Sequence, residues 1–314
     1  TATMPVVLVV MGAGVLGAIV GKVTGFFIVG LIGILASITL IFKIAGNRRI
    51  GSHKEALIKI LVYGIPLIIA TIIGTGVKRY YDLMMATFCA VEEIGYYRVA
   101  SMLILPINYL AVPISEVSFP AFSKFEFNVE PKALEKVFRH SIKYSSLAVL
   151  PVAVIIAVLA KPLILLLFGA MYETAWFYLS LLAITSLVYG FGGSHIYSLV
   201  AAQKQTKVIT KINSLRAVFG IIIGLALIPF YGILGVILTG FLDSCFIAVA
   251  MNLALNRLYG ISPPFLGLSR IYLSSAIAGI AVLPIVFANI SEIFKVIAGL
   301  AIGGTAYLVC LWRF

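Results

Sequence analysis

The chain alternates long apolar stretches with short polar segments over its whole length. A helix that crosses a membrane needs about 20 mostly apolar residues, and stretches of this kind recur along the sequence. They are residues 15–42, 60–88, 95–122, 142–160, 174–201, 208–228, 233–255, 267–287 and 293–311. The pattern therefore predicts an all-α fold, a polytopic membrane helix bundle.

The composition supports this interpretation. Hydrophobic residues occupy 62% of the 314 positions and charged residues only 11%, whereas soluble domains contain about 25% charged residues. Lys and Arg outnumber Asp and Glu by 23 to 11. Such an excess can indicate nucleic-acid binding, but the sequence contains no polar domain that would present a basic face. We therefore expect membrane lipids, and no nucleic acid, as partners.

Basic residues are distributed unevenly among the connections between the predicted spans. Alternate connections, at 43–59, 124–143, 204–216 and 257–270, together with Arg313, contain 17 of the 23 basic residues. The intervening connections contain very few. Because Lys and Arg are retained on the cytoplasmic side of a membrane, the pattern predicts a multi-pass protein of the cytoplasmic membrane whose basic loops are cytoplasmic.

Two short segments resemble each other: GVLGAIV at 14–20 and GILGVIL at 232–238. A match of seven apolar residues can arise by chance, but the copies lie six helices apart, as in transporters built from two six-helix lobes. The apolar stretch before the first copy, 1–11, is about half as long as its later counterpart. We therefore expect the chain to start inside a helix, with most of the first lobe missing.

These features predict three parts of the chain. Residues 1–44 would be the end of an N-terminal lobe, with a partial helix at 1–11 and one span. Residues 57–257 would form a C-terminal lobe of six helices, and 264–314 would add two transmembrane helices. Within the second part, apolar residues at helical spacing after Pro131 predict an interfacial amphipathic helix that leads into the next span.

Seven charged residues fall inside predicted spans, where ionised groups are costly and usually face a cavity. They are Lys22, Lys78, Arg79, Asp82, Arg98, Glu116 and Asp243. Asp82 follows Lys78 by four residues and Arg79 by three, so one carboxylate can hold two cations on one helix face. The alternative is that the two cations extend to the outer lipid headgroups.

The remaining charges inside spans have different surroundings. Asp243 lies deep in its span, which indicates either an ion-coupling site or a partner for a basic residue on a facing helix. Glu116 is a candidate for the same roles but lies nearer the cytoplasmic end. Lys22 is a further candidate for the substrate-binding cavity, and it lies beside a stripe of small residues formed by Gly17, Gly21 and Gly25, which is typical of close helix packing.

No pattern in the sequence indicates an enzyme. The sequence lacks a nucleophile–base pair and a phosphate-binding glycine loop, and its predicted outer connections are too short to build a catalytic domain. Cys89, Cys245 and Cys310 are far apart and have no metal-ligand spacing. We therefore expect no catalytic residues, no metal and no cofactor.

Four segments in order resemble the polysaccharide or oligosaccharide (O-antigen type) flippases, a family of the multidrug/oligosaccharidyl-lipid/polysaccharide exporter superfamily. They are YGIPLIIATIIGTGVKRYYDLMMATF at 63–88, VEEIGYYRVASMLILPINYL at 91–110, LAKPLILLLFGAMYETA at 159–175 and LIPFYGILGVILTGF at 227–241. The resemblance covers nearly the whole chain, although most of the first lobe of the two-lobed exporter fold is missing.

The resemblance implies transport of a lipid-linked oligosaccharide through a cavity that opens alternately to the two sides of the membrane. Lys78, Arg79 and Arg98 would contact phosphate or acidic sugars, with Asp82 orienting them. We expect the full-length chain to supply the missing N-terminal lobe. The alternatives are a drug or cation antiporter of the same superfamily and, with less support, a membrane-embedded glycan polymerase.

Overall fold

The computed structural model describes residues 3–44, 53–125, 127 and 129–313, and these residues are helical almost throughout, without a strand. In these ranges the α-helices are α1 (Thr3–Leu8), α2 (Gly14–Ile44), α3 (His53–Phe88), α4 (Val91–Lys124), α5 (Pro131–Val158), α6 (Ala160–Phe168), α7 (Ala175–Thr185), α8 (Gly193–Ala202), α9 (Thr206–Tyr259), α10 (Phe265–Phe287) and α11 (Glu292–Arg313). Eight helical stretches of the described chain are long and apolar enough to cross a membrane. The predicted all-α membrane fold is confirmed.

The chain divides into two units, Thr1–Leu61 and Val62–Phe314. The first unit contains α1, α2 and the beginning of α3, and the second contains the rest. Arg48 and Arg49, which contribute to the predicted basic connection 43–59, lie outside the described residues. The division into three parts that the sequence indicates stays a prediction.

The two predicted spans 208–228 and 233–255 form a single helical element, α9, of 54 residues. A straight helix of this length would measure about 80 Å, far more than a hydrocarbon core of about 30 Å. Gly232 interrupts the helix with φ 54° and ψ −130°, and the rings of Phe219 and Phe246 stack 4.6 Å apart. The element is therefore a hairpin, with a first arm at 206–231 and a second arm at 233–259 side by side.

The earlier copy of the repeated motif has the same backbone break. Gly14, the first residue of α2, has φ 51° and ψ −138°, close to the values of Gly232. Helices α1 and α2 approach closely, because a Cβ on Gly21 would overlap the backbone of Pro5. A Cβ on Gly235 of α9 would meet the opposite arm in the same way. The structure thus confirms the repeat as a repeated helical hairpin and the glycine stripe of α2 as a packing face.

Replacing Gly232 with alanine should lower the free energy of unfolding by about 1–3 kcal/mol, because only glycine adopts this φ and ψ without strain. Gly240 is the matched control: it lies in the second arm, has helical geometry and has open space around its Cα. Thermal unfolding in detergent should show a lower melting temperature for Gly232→Ala. The melting temperature of Gly240→Ala should not decrease. Equal melting temperatures of the two variants would contradict the hairpin's dependence on Gly232.

The predicted interfacial helix and the span after it form one continuous helix, α5, as expected. Leu134, Phe138 and Ile142 are fully buried, and their spacing places them on one face of the helix. On its two sides α5 packs against α4 and against α10, which in turn packs on α11. The amphipathic half of α5 is therefore anchored by its apolar face, and its basic residues are left at the surface.

Candidate functional site

Asp82 on α3 holds two arginines in one ion-pair cluster, named here the Arg79–Asp82–Arg98 cluster. Its Oδ2 accepts a hydrogen bond of 3.3 Å from Nη1 of Arg79, and its Oδ1 accepts one of 2.6 Å from Nη2 of Arg98. The Arg79 and Arg98 side chains are 80% and 55% exposed. Because a guanidinium has five N–H donors, both arginines keep free donors. The predicted pairing of Arg79 is confirmed, and the second cation is Arg98 rather than Lys78.

Lys78 points to another place, a cavity of about 260 Å³ between α3 and α9. Tyr81 lines this cavity from α3, and Asn213, Arg216 and Asp243 line it from the two arms of α9. Within the part of the chain that the structure describes, no carboxylate lies at ion-pair distance from Lys78. The sequence pattern predicted that Lys78 would be the second cation on Asp82. In the structure Arg98 of α4 takes that place, and Lys78 does not pair with Asp82.

Asp243 forms a bidentate ion pair with Arg216 across the α9 hairpin. Nε of Arg216 lies 2.8 Å and 2.9 Å from the two carboxylate oxygens, and Nη2 lies 2.5 Å from Oδ2. The carboxylate side chain is only 6% exposed and the Arg216 side chain 35%. Of the two roles that the sequence left open for Asp243, pairing with a base on a facing helix is the one observed.

The prediction that Arg216 belongs to the basic connection 204–216 is wrong. The distribution of basic residues places Arg216 among the cytoplasmic loop charges, but α9 begins at Thr206, so Arg216 lies ten residues inside a helix. Charge counting cannot separate a loop residue from one in the first turns of a span. The signal in the sequence was Asp243 itself, because a deeply buried carboxylate needs a partner.

A second, larger cavity of about 580 Å³ lies among α4, α7, α8 and α9, and is named here the polar cavity. Hydroxyl and amide groups line part of it, and Tyr189 donates a hydrogen bond of 2.7 Å to Oδ1 of Asn108. Glu116 and Arg216 bring opposite charges to the wall. Arg216 also lines the smaller cavity, so its side chain is part of the wall of both cavities. Sequence reasoning missed this cavity because neutral polar residues scattered in apolar helices carry no distinctive spacing.

Glu116 and Lys22 are the remaining residues that the sequence singled out. Glu116 is an exposed residue of α4 and lines the polar cavity. Lys22 is an exposed residue of α2, in the N-terminal unit. A substrate-binding role for Lys22, and an ion-coupling role for Glu116, stay predictions.

In the described chain, eight helical stretches that are long and apolar enough to cross a membrane, with cavities among them that polar groups line in part, define a multi-pass membrane protein. The chain belongs to the polysaccharide biosynthesis protein family, whose model matches residues 1–176. Curated protein sequences include no significant match to it.

Among solved structures, the chain is similar to the lipid II flippase MurJ in its inward closed conformation. The TM-score is 0.70 at 18% sequence identity, and the match covers 98% of this chain and 65% of the MurJ chain. At this identity the likeness shows a shared fold. The chain spans 65% of the length of the structure that it matches.

Proposed function

We propose that the protein is a flippase that moves polyprenyl-(pyro)phosphate-linked oligosaccharide across the cytoplasmic membrane by alternating access. Two findings support the proposal: the family is described by polysaccharide biosynthesis, and a structure of the same fold is titled a lipid II flippase. The proposal includes the orientation with the basic loops in the cytoplasm, which rests on the distribution of Lys and Arg.

The observation that carries the proposal is the Arg79–Asp82–Arg98 cluster. One carboxylate is shared by two guanidinium groups, so the cluster has a net positive charge. Arginine binds phosphate through paired N–H donors, and the exposed side chains have such donors to spare. Asp82 fixes the two guanidinium groups in place, which lowers the entropy lost when they bind an anion.

The physical problem of a flippase is the cost of moving a charged head through hydrocarbon. A cationic surface inside the membrane lowers that cost for a diphosphate, while the polyprenyl chain stays in lipid. The polar cavity provides hydroxyl and amide groups that can hydrogen-bond to sugars. A cation antiporter would need free carboxylates instead. Arg216 neutralises Asp243, the most buried carboxylate described, and Glu116 is the only other described carboxylate that lines either cavity.

The proposal is tested by flipping measured in vesicles that contain the full-length gene product. A fluorescent polyprenyl-diphosphate oligosaccharide is placed in both leaflets, and a membrane-impermeant reagent that destroys the exposed label reports how much reaches the outer leaflet. We expect nearly all of the label to become accessible with protein and only about half without it. Uptake of a lipophilic cation in the same vesicles, without flipping of the glycan lipid, would overturn the proposal in favour of an antiporter.

A further inference from the structure

The geometry points to a second lipid site on the protein: a groove between α4 and α5 that holds a resident anionic phospholipid, with its phosphate at Lys136 and an acyl chain along α4. This site is separate from the proposed transport site and goes beyond the proposed function. We call it the α4–α5 groove. Its lining includes Pro113, Ile114, Val117, Lys136, His140 and Tyr144.

The floor of the α4–α5 groove is apolar and large enough for a lipid chain. The groove has a volume of about 580 Å³, and α4 contributes the ring of Pro113 together with the aliphatic side chains of Ile114 and Val117. Val117 is 78% exposed. Beneath the groove, Oγ of Ser118 donates a hydrogen bond of 3.0 Å to Oγ of Ser141, which ties the two helices together. The groove is therefore a fixed feature of the packed helices.

The rim of the groove carries positive charge without a partner. Lys136 is exposed, and in the described ranges no carboxylate pairs with it, because the nearby Glu135 is engaged by Arg139 at 2.7 Å. Lys132 lies one turn earlier on the same face of α5. An unpaired ammonium above an apolar groove near the polar end of a spanning helix matches a phospholipid, in which a phosphate adjoins an acyl chain.

His140 and Tyr144 extend this match along the groove. Nδ1 of His140 lies 2.7 Å from the carbonyl oxygen of Lys136, and since a carbonyl can only accept, Nδ1 carries the proton. Tyr144, one turn further, has an amphipathic side chain of the kind that is enriched at membrane–water interfaces. Lys136, His140 and Tyr144 therefore lie in this order along the groove, from the expected phosphate position towards the acyl chain.

The occupant is a membrane phospholipid rather than the transported glycan lipid, because the groove and the polar cavity lie on different sides of α4. Val112 and Glu116 line the polar cavity, whereas Pro113 and Val117 line the groove. A transported headgroup needs the hydroxyl and amide groups of the polar cavity. The groove has few such groups, so it fits a simple anionic headgroup and a hydrocarbon chain.

The experiment is a lipid titration of the purified protein in detergent, followed by native mass spectrometry. The probes are phosphatidylglycerol, phosphatidylcholine of the same chains, and polyprenyl diphosphate. We expect phosphatidylglycerol to bind more tightly than phosphatidylcholine, and Lys136→Ala to weaken it about fivefold, the usual contribution of one lysine near an anionic lipid. Val117→Trp, which fills the groove from α4 and keeps every charge, should also weaken binding.

Lys211→Ala is the matched control, since Lys211 is an exposed lysine at the sixth position of α9, as Lys136 is of α5. It should leave the affinity unchanged. The proposal is overturned if Lys211→Ala weakens binding as much as Lys136→Ala, because general surface charge would then explain the affinity. It is also overturned if the two phospholipids bind equally, if Val117→Trp has no effect, or if polyprenyl diphosphate displaces phosphatidylglycerol from the Lys136-dependent site.

Discussion

Replacing Arg216 with alanine should lower the free energy of unfolding by about 3–5 kcal/mol, the range found when one partner of a buried ion pair is removed. The reason is that Asp243 would stay in a site that is only 6% exposed without the three hydrogen bonds that now satisfy it. The pair also joins the two arms of the α9 hairpin, so its loss loosens the packing there. Thermal unfolding in detergent measures the effect.

The two partners should not contribute equally. Asp243→Ala leaves an arginine whose side chain is 35% exposed and lines two cavities, so its guanidinium can reach water, and we expect a loss of about 1–3 kcal/mol. Replacing both partners together, as Arg216→Met with Asp243→Leu, should be milder than Arg216→Ala, because no charge is left buried. Arg257→Ala, an exposed arginine of the same helix, is the control and should be neutral. An Arg216→Ala protein as stable as this control would contradict the pairing.

Replacing Arg79 and Arg98 together with alanine should reduce the rate of glycan-lipid flipping about a hundredfold, since each hydrogen bond to a charged group contributes about 1.5–3 kcal/mol. Single variants should lose about tenfold each. Replacement by lysine keeps the charge but not the paired donors, so the lysine variants should fall between. The vesicle assay measures the rates. Stability should change little, because both side chains are largely exposed.

The control for these variants is Arg139→Ala. Arg139 is also a partly exposed arginine paired with a carboxylate on its own helix, Glu135, at 2.7 Å, but it lies on α5 outside the cluster. Its replacement should leave flipping unchanged. The Arg79→Ala/Arg98→Ala protein should not flip at the normal rate if the cluster takes part in transport. A normal rate, at normal amounts of protein in the membrane, would show that flipping does not need the cluster.

Most of the fold could be predicted from the sequence because membrane helices are long apolar runs whose backbone must satisfy its own hydrogen bonds. The spans, the continuous amphipathic α5 and the repeated motif all followed from local patterns. The turn at Gly232 was indicated by the short gap between the predicted spans 208–228 and 233–255. What local patterns could not give is which residues face each other across the α9 hairpin, where Arg216 lies within hydrogen-bond distance of a carboxylate 27 residues away.

The candidate site was predicted only in part, for a related reason. The pairing of Asp82 with Arg79 depends on helical spacing within α3 and was visible in the sequence. The pairing with Arg98 depends on how α4 lies against α3, and no spacing rule contains that information. The polar cavity was missed because its walls come from four helices, each of which contributes ordinary hydroxyl and amide residues.

The proposed mechanism requires that Arg79 and Arg98 face a water-filled path and not the lipid. The most direct measurement is labelling of Arg79→Cys and Arg98→Cys, in protein whose three natural cysteines are replaced by alanine, with a charged, membrane-impermeant thiol reagent. We expect rapid labelling at both positions and protection by polyprenyl-diphosphate oligosaccharide. Labelling only by a lipid-soluble maleimide, unaffected by the glycan lipid, would contradict the proposed mechanism.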